Sequence, residues 1–420
     1  MQKKYFTLVA ATLVAGAAFG QSSPTVSSPT VSSPTVSGPT VYGVADLSVE
    51  SVSATGSTAG AVGNDIPSRI RLNANSSLLG VKGKVDVGGD NAVIYQFETY
   101  IDLGNNQYAS ANTPATGNTG PSITTAGLNG SNSTMFGARR DTFLGMTGNW
   151  GTLKAGYMTT GFRGATAKAD LAPGATGVTA GYEVFGYAGA GKNWFQRYPS
   201  VMYTTPNFGG FSAAFTYIPN TAKAIEAGPV NPGGWDLLAR YETKLFHVTF
   251  VHTDLKDLTF GGFASEKNKS DAIFAGITFP TGTTVSAMYN LSKATLLPTG
   301  VGATSFEMKQ NSFYIGVKQV VGPHEFMLNF QSAPKHTGTN LPTTGALAVN
   351  YAEANSGAKS IAARYAYNLF KNTQLFVVYA AITNEAQAAV NFNIGAIGTT
   401  GQVKAGADPK AFGGGLRFVF

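Results

Sequence analysis

The chain contains no cysteine. That excludes a disulfide framework, a lipid-modified N-terminal cysteine and thiolate metal sites. Charge is scarce as well: Asp, Glu, Lys and Arg together make up 12% of the 420 residues, against ~25% in ordinary soluble proteins. Beyond residue 20 no stretch approaches the ~20 consecutive apolar residues of a membrane-spanning helix. The four histidines, His247, His252, His324 and His336, have no metal-ligand partners at useful spacing. His247 and His252 lie five apart, which in a strand puts them on opposite faces. G-x-S-x-G is absent. GYAGAGKN, residues 186–193, approaches a phosphate-binding loop but ends in Asn193, with no buried strand before it and no helix pattern after it. The residues therefore nominate no catalytic group, metal or cofactor, and the chain reads as a non-enzyme. Nor is there a basic run suited to nucleic acid. The formal net charge of +7 falls to +5 without Lys3 and Lys4, a mild excess that belongs to surface or pore electrostatics.

At the N-terminus stands MQKKYFTLVAATLVAGAAFG, residues 1–20. Two lysines, a short apolar run and small residues at Ala18 and Gly20 mark a cleaved secretory leader. Residues 21–40 follow as a Pro/Ser/Thr-rich lead-in, in which a pentapeptide close to S-P-T-V-S recurs with prolines at 24, 29, 34 and 39. Proline at that spacing removes amide donors and fixes φ, so the segment is expected to be extended and flexible in the periplasm. It reads as structurally optional, with a tether to the cell wall or a periplasmic partner as the sharper alternative.

Residues 41–420 are rich in what a membrane β-barrel needs. Tyr and Phe number 18 and 27, Gly 52, and apolar residues alternate with polar ones so that mean hydropathy stays near zero. Val93, Tyr95, Phe97 and Ile101 share one face of a strand and Gln96, Glu98 and Asp102 the other. Phe326, Leu328 and Phe330 likewise oppose Glu325, Met327, Asn329 and Gln331. Tyr95, Tyr157, Tyr203, Tyr241, Tyr289, Tyr365 and Tyr379 fall on outward faces and suit interfacial girdles. Seven short turns, at 86–90, 148–151, 206–210, 243–246, 279–282, 320–324 and 368–372, alternate with long connections near 53–68, 103–137, 159–196, 219–234, 255–269, 294–305, 333–356 and 385–410. With a first strand at about 41–52 and a last at 411–420, this predicts an all-β fold: a transmembrane antiparallel β-barrel of about sixteen strands. The longest connection, 159–196, has room in the lumen of such a barrel.

Several stretches carry a family likeness: TVYGVADLSVE, SSLLGVKGKVDVGG, AVIYQFETYIDLG, RRDTFLGMTGNWGTLKAGY, SVMYTTPNFGGFSAAFTY and the terminal GGGLRFVF. In these the chain resembles the trimeric general porins of Gram-negative bacteria, of the β-proteobacterial and neisserial type. The resemblance implies a homotrimer in the outer membrane, embedded in its lipid, with the third loop folded into the pore. It also implies a terminal Phe420 read by the barrel-assembly machinery, and small hydrophilic solutes and ions as cargo. Two positions depart from the family pattern. Leu78 stands where a pore arginine is usual, and Asp141 where some anion-selective members carry another.

Strand parity then gives pore-constriction candidates: Lys82 and Lys84, Glu98 and Asp102, Arg139 and Asp141, and Lys154 on the walls. Asp46 and Glu50 also face inward on the first strand. The loop adds Arg163, Lys168, Asp170, Glu183, Lys192 and Arg197, while Arg69 and Arg71 stand beside the first loop as replacements for the missing arginine. The expectation is a transverse field with bases on the wall and acids on the loop, and a basic excess giving weak anion preference. The plainer reading of each charge is a solvated lumen residue. A passive diffusion channel competes with a solute-specific channel, and with a surface-display barrel acting as adhesin or receptor through its loops.

Overall fold

The computed structural model describes residues 36–60, 64–101, 103, 136–172, 177–185, 197–219, 233–256, 263–298, 302–343, 351–393, 395–397 and 403–420. Among them, sixteen antiparallel strands form one closed sheet. In chain order these are β1 (Val36–Thr55), β2 (Ile66–Asn73 and Leu78–Gly88), β3 (Asn91–Ile101), β4 (Phe136–Arg139 and Thr142–Gly148), β5 (Gly151–Thr159) and β6 (Arg197–Thr204). There follow β7 (Phe211–Ile218), β8 (Gly233–Glu242), β9 (Phe246–Lys256), β10 (Phe263–Thr278), β11 (Thr283–Pro298) and β12 (Phe306–Val321). The last four are β13 (His324–Ala333, extended by Thr337–Thr339), β14 (Ala358–Phe370), β15 (Thr373–Asn384) and β16 (Asp408–Val419). One helix, α1 (Gly161–Ala169), lies between β5 and β6. The seven short turns fall where turn chemistry placed them.

Closure answers the problem of an apolar edge strand ending on phenylalanine. β16 runs antiparallel to β1 from Val44↔Val419 to Thr55↔Asp408. Beyond that ladder, Gly43 and Phe420 exchange both backbone hydrogen bonds, 2.9 and 3.1 Å. Gly43 is required there: a Cβ would come within 2.4 Å of the Phe420 ring.

Alternation sorts the wall. On β11, Ser286, Met288 and Asn290 are buried on the inner side, while Ala287, Tyr289 and Leu291 are exposed on the outer one. The outer belt is apolar, with Phe215, Phe250, Ile273, Tyr289, Ile315, Leu328 and Tyr379 all exposed, as strands facing lipid require.

Three features differ from expectation. β1 begins at Val36, inside the predicted lead-in. Its first residues pair with β2 alone (Val36↔Val85 to Tyr42↔Gly80), with a register shift between Ser37 and Thr40. The edge facing away from β2 is open below Gly43, which is where Pro39, lacking an amide donor, can stand in a strand. The expected connections at 255–269 and 294–305 shrink to the gaps between β9 and β10 and between β11 and β12. The polar run SEKNK, residues 265–269 within the expected connection, continues the ladder of β10.

Candidate functional site

The lumen is occupied by its own loops. After β5, Thr160 caps α1 by accepting from the Arg163 amide. The helix then lies against the inner faces of β7–β11. Phe162 meets Phe274 edge-to-face at 5.4 Å, and Phe185 stacks on Phe162 at 6.5 Å. Ala165, Ala169, Tyr182, Leu238, Val251, Met288 and Tyr314 complete this cluster. Polar staples fix the backbone of the loop to successive strands. The Gly161 amide donates to Asp236 (2.9 Å) on β8, Ser286 of β11 donates to the Ala169 carbonyl (2.5 Å), and the Leu171 amide donates to the Tyr314 hydroxyl (3.3 Å) on β12. On β13, Gln331 accepts from the Val184 and Phe185 amides (3.0 and 3.3 Å) and donates to the Ala180 carbonyl (3.0 Å). Asn329 donates to the Thr179 carbonyl at 3.0 Å.

A second loop, between β15 and β16, also turns inward. Val390, Phe392, Ile397 and Val403 are buried against Phe376, Val378 and Ile382 of the wall and against Val178 and Val184 of the first loop. Asn384 and Asn391 organise its backbone, Asn391 accepting from the Phe392 and Ile397 amides and donating to the Ile397 carbonyl. The Asn393 amide donates to Glu183, and its side chain donates to the Tyr182 carbonyl at 3.0 Å.

These contacts overturn part of the expected field. Asp170 and Glu183 are buried and do not line a passage. Asp170 accepts from the Ala172 amide at 3.0 Å and from the Gly181 amide, closing the turn after α1. Glu183 is covered by the last loop. Their carboxylates shape the loop because the loop folds on itself and on its neighbour, a tertiary arrangement with no local sequence signal. The carboxylates that face the cations stand on the same wall as the cations.

That wall runs through β1–β6. Lys82 lies 4.8 Å from the Tyr42 ring, and the Tyr42 hydroxyl donates to Glu98 at 2.9 Å. Glu98 also pairs with Arg140, whose guanidinium stacks on Tyr100 at 4.5 Å. Tyr100 hydrogen-bonds Arg197 and feels the charges of Arg140, Arg163 and Arg197 together. Arg197 pairs with Asp141, which also accepts from the Thr159 amide and hydroxyl (3.2 and 2.8 Å). Lys154 lies 4.8 Å from the Phe143 ring. The result is a continuous ladder of cations, aromatic faces and two carboxylates. Neighbouring strands add Arg71 with Glu50 (2.8 Å), Arg417 with Asp46 (2.9 Å) and Arg364 with Glu325 (3.2 Å).

The sequence candidates thus divide. Arg71, Lys82, Glu98, Asp141, Lys154 and Arg163 are brought into or beside this network. Lys84 pairs with Asp86 at 3.0 Å, both exposed. Arg69 shares the parity of Arg71 two residues nearer the first loop and is exposed. Arg139 is paired with Thr99 in backbone register, and its side chain lies outside the described residues, as do Asp102, Lys192 and the 186–193 motif. The arginine that meets Glu98 is Arg140. β4 is interrupted at residues 140–141, and the break shifts parity by one, an effect that alternation alone does not reveal. That break hides Arg140 from strand parity, whereas Tyr100, on the same face of β3 as Glu98, carries no charge to mark it. Lys168 pairs with Glu242 of β8 at 2.5 Å. Among the described residues no group of His, Asp and Glu is placed to hold a metal ion.

Comparison with known proteins agrees with this architecture. The model of the family described as Gram-negative porin matches residues 7–387. Outer membrane porin protein 32 of Delftia acidovorans is 23% identical over 448 aligned positions, covering 100% of both chains. The structure of the anion-selective porin from Comamonas acidovorans superposes with a TM-score of 0.65 at 21% identity, covering 91% of this chain and 99% of that one. OmpT of Vibrio cholerae, in its trimer form, gives 0.61 at 11% identity, covering 92% and 99%.

Proposed function

The chain belongs to the Gram-negative porin family, and from that premise we propose that its channel is weakly anion-selective, with its eyelet at the Arg140–Arg163–Arg197 cluster. The protein itself is an outer-membrane β-barrel through which ions and small hydrophilic solutes diffuse passively. A polar, charged passage keeps ions hydrated or offers replacement ligands, whereas a lipophilic solute gains nothing on entering it.

One observation carries the anion preference. Arg140 stacks on Tyr100 at 4.5 Å, Arg197 hydrogen-bonds it and the charge of Arg163 acts on it, while Glu98 pairs with Arg140 and Asp141 with Arg197. Lys82 and Lys154 lean on aromatic rings. Fixed positive charge in a narrow water-filled passage concentrates anions by the ordinary Coulomb terms. The anion-selective porin from Comamonas acidovorans, which shares this fold, is in keeping with this reading.

Assembly as a homotrimer is part of the same proposal, supported by the trimer form of the Vibrio cholerae neighbour. So are cleavage of the leader at residues 1–20 and reading of Phe420 by the barrel-assembly machinery; the seam position of Phe420 suits a signal that is consumed by closure. Reversal potentials in planar bilayers under a salt gradient test the eyelet. The wild type is expected to reverse on the anion side, and Arg163→Ala is expected to move the reversal potential toward zero with the barrel intact. A cation-side reversal in the wild type, or no shift in Arg163→Ala, rejects the assignment.

A further inference from the structure

Beneath the pore loop, a second group of bases stands apart from the wall of β1–β6. The last turn of α1 is fixed to the barrel, because Ser286 of β11 donates to the Ala169 carbonyl at 2.5 Å. Lys168, in that turn, reaches Glu242 at the end of β8, and both side chains are open to solvent. Glu242 and His247 face each other across the short turn 243–246, and Arg240 faces Thr249 one step further in on the same inner face. The group therefore lies between α1 and the periplasmic end of the barrel. The charges that act on His247 are those of Lys168, Arg240 and Glu242. Its partner on β10 is Gly276, where a Cβ would come within 2.6 Å of the imidazole Nε2. The ring rests on that glycine, and no charge comes from β10.

The hydrogen bonding of these bases is incomplete. Among the described residues, Arg240 donates from Nε to Thr249 at 3.0 Å, and neither terminal nitrogen has a partner. The Nδ1 of His247 is buried without one, although buried polar groups are as a rule hydrogen-bonded. Glu242 alone offsets the cluster. Lys168 and Arg240 against Glu242 leave one positive charge, and protonation of His247 makes it two. A guanidinium anchored through Nε, with both terminal nitrogens free, is shaped to grip two oxygens of one anion. The imidazolium and the ammonium add charge-assisted donors beside it.

We propose that Lys168, Arg240 and His247 form a second anion site, on the periplasmic side of α1, that takes a divalent tetrahedral oxyanion of the sulfate and hydrogen phosphate type. It rests on the reading that anions traverse the lumen, and it uses none of the eyelet residues. The imidazole titrates near pH 6.5 in its ordinary state, so the site gains its second positive charge, and holds a divalent anion more tightly, on the acid side of neutrality.

The test is planar-bilayer recording of the full barrel in potassium chloride at pH 5.5 and pH 8, titrated with potassium sulfate, whose charge is constant over that range. In the wild type, sulfate is expected to block the chloride current saturably, at about tenfold lower concentration at pH 5.5 than at pH 8. His247→Gln is expected to keep the pH 8 value at both. Arg240→Gln is expected to need about tenfold more sulfate at either pH, with Arg240→Lys between it and the wild type. Heat-dependent gel mobility certifies that each barrel is folded. Arg163→Ala, in the eyelet, is expected to move the reversal potential and leave the pH response of the block in place. Wild-type block in both Arg240→Gln and His247→Gln overturns the site, as does a wild type with no saturable block. A wild type that reverses on the potassium side, yet shows a sulfate block that Arg240→Gln weakens, supports this site and rejects the eyelet assignment alone.

Discussion

Asp170 shows how one side chain can couple loop shape to pH. It is buried, one oxygen holds two amides, and the other lacks a hydrogen-bond partner. Burial pushes its carboxyl up to about 7, with the Gly181 and Ala172 amides and Lys318 pulling the other way. A carboxyl raised above its unfolded value stabilises the fold at low pH, and that contribution is lost as pH rises through the folded value. The pore loop is therefore expected to be held most firmly below the ordinary carboxyl value of 3.8, to lose that stabilisation progressively as pH rises to about 7, and to change little above it. Asp170→Asn keeps an acceptor for the amides and removes the charge. It is expected to raise the melting temperature at pH 8 and to flatten its dependence on pH. Thermal unfolding followed from pH 5 to 8 reads both effects. The same residue marks a limit of sequence reading. Its charge and position suggested an eyelet acid, and only the turn it closes reveals a structural anchor.

At the scale of elements, the two inward loops support each other. Val390, Phe392 and Ile397 are at most 2% exposed, and each such burial contributes roughly 1.5–3 kcal/mol. The last loop is thus held inside by several side chains, and it covers Glu183 and packs on Val178 and Val184 of the pore loop. Replacing residues 389–403 with a short Gly-Ser linker is expected to increase single-channel conductance and open-channel noise together, because it opens space and releases the pore loop. Unchanged conductance in a folded variant would show that the last loop does not bound the passage. Strands were largely legible in the sequence: alternation such as Phe326–Met327–Leu328 marked the two faces, and turns such as PNFGG marked the joints. The inward loops were legible only by length. Phe162, Phe185 and Phe392 carry no periodic pattern, and their partners Phe274, Met288 and Val378 broke the expected polarity of the inner face without saying what would cover them. Where β4 breaks, strand parity points to Arg139 as inward, and the arginine that pairs with Glu98 is Arg140.

For the whole molecule, composition decided the class. Few charges, many aromatics and no spanning helix leave a closed sheet as the way to satisfy every backbone group in lipid, and the register from β1 to β16 closes it. The solvent then runs inside, and the fixed charges of β1–β6 meet whatever enters. Sequence resemblance anticipated the barrel and the channel. It could not assign the eyelet, because Leu78 and Asp141 depart from the family pattern and the cations that gather around Tyr100 come from β4, α1 and β6, far apart in the chain. The most direct test of the account is planar-bilayer recording of the purified wild-type protein under a potassium chloride gradient. The account predicts stepwise ohmic conductance, arriving in threes, with a reversal potential on the chloride side. A folded barrel that does not conduct, or one that reverses on the potassium side, would contradict it.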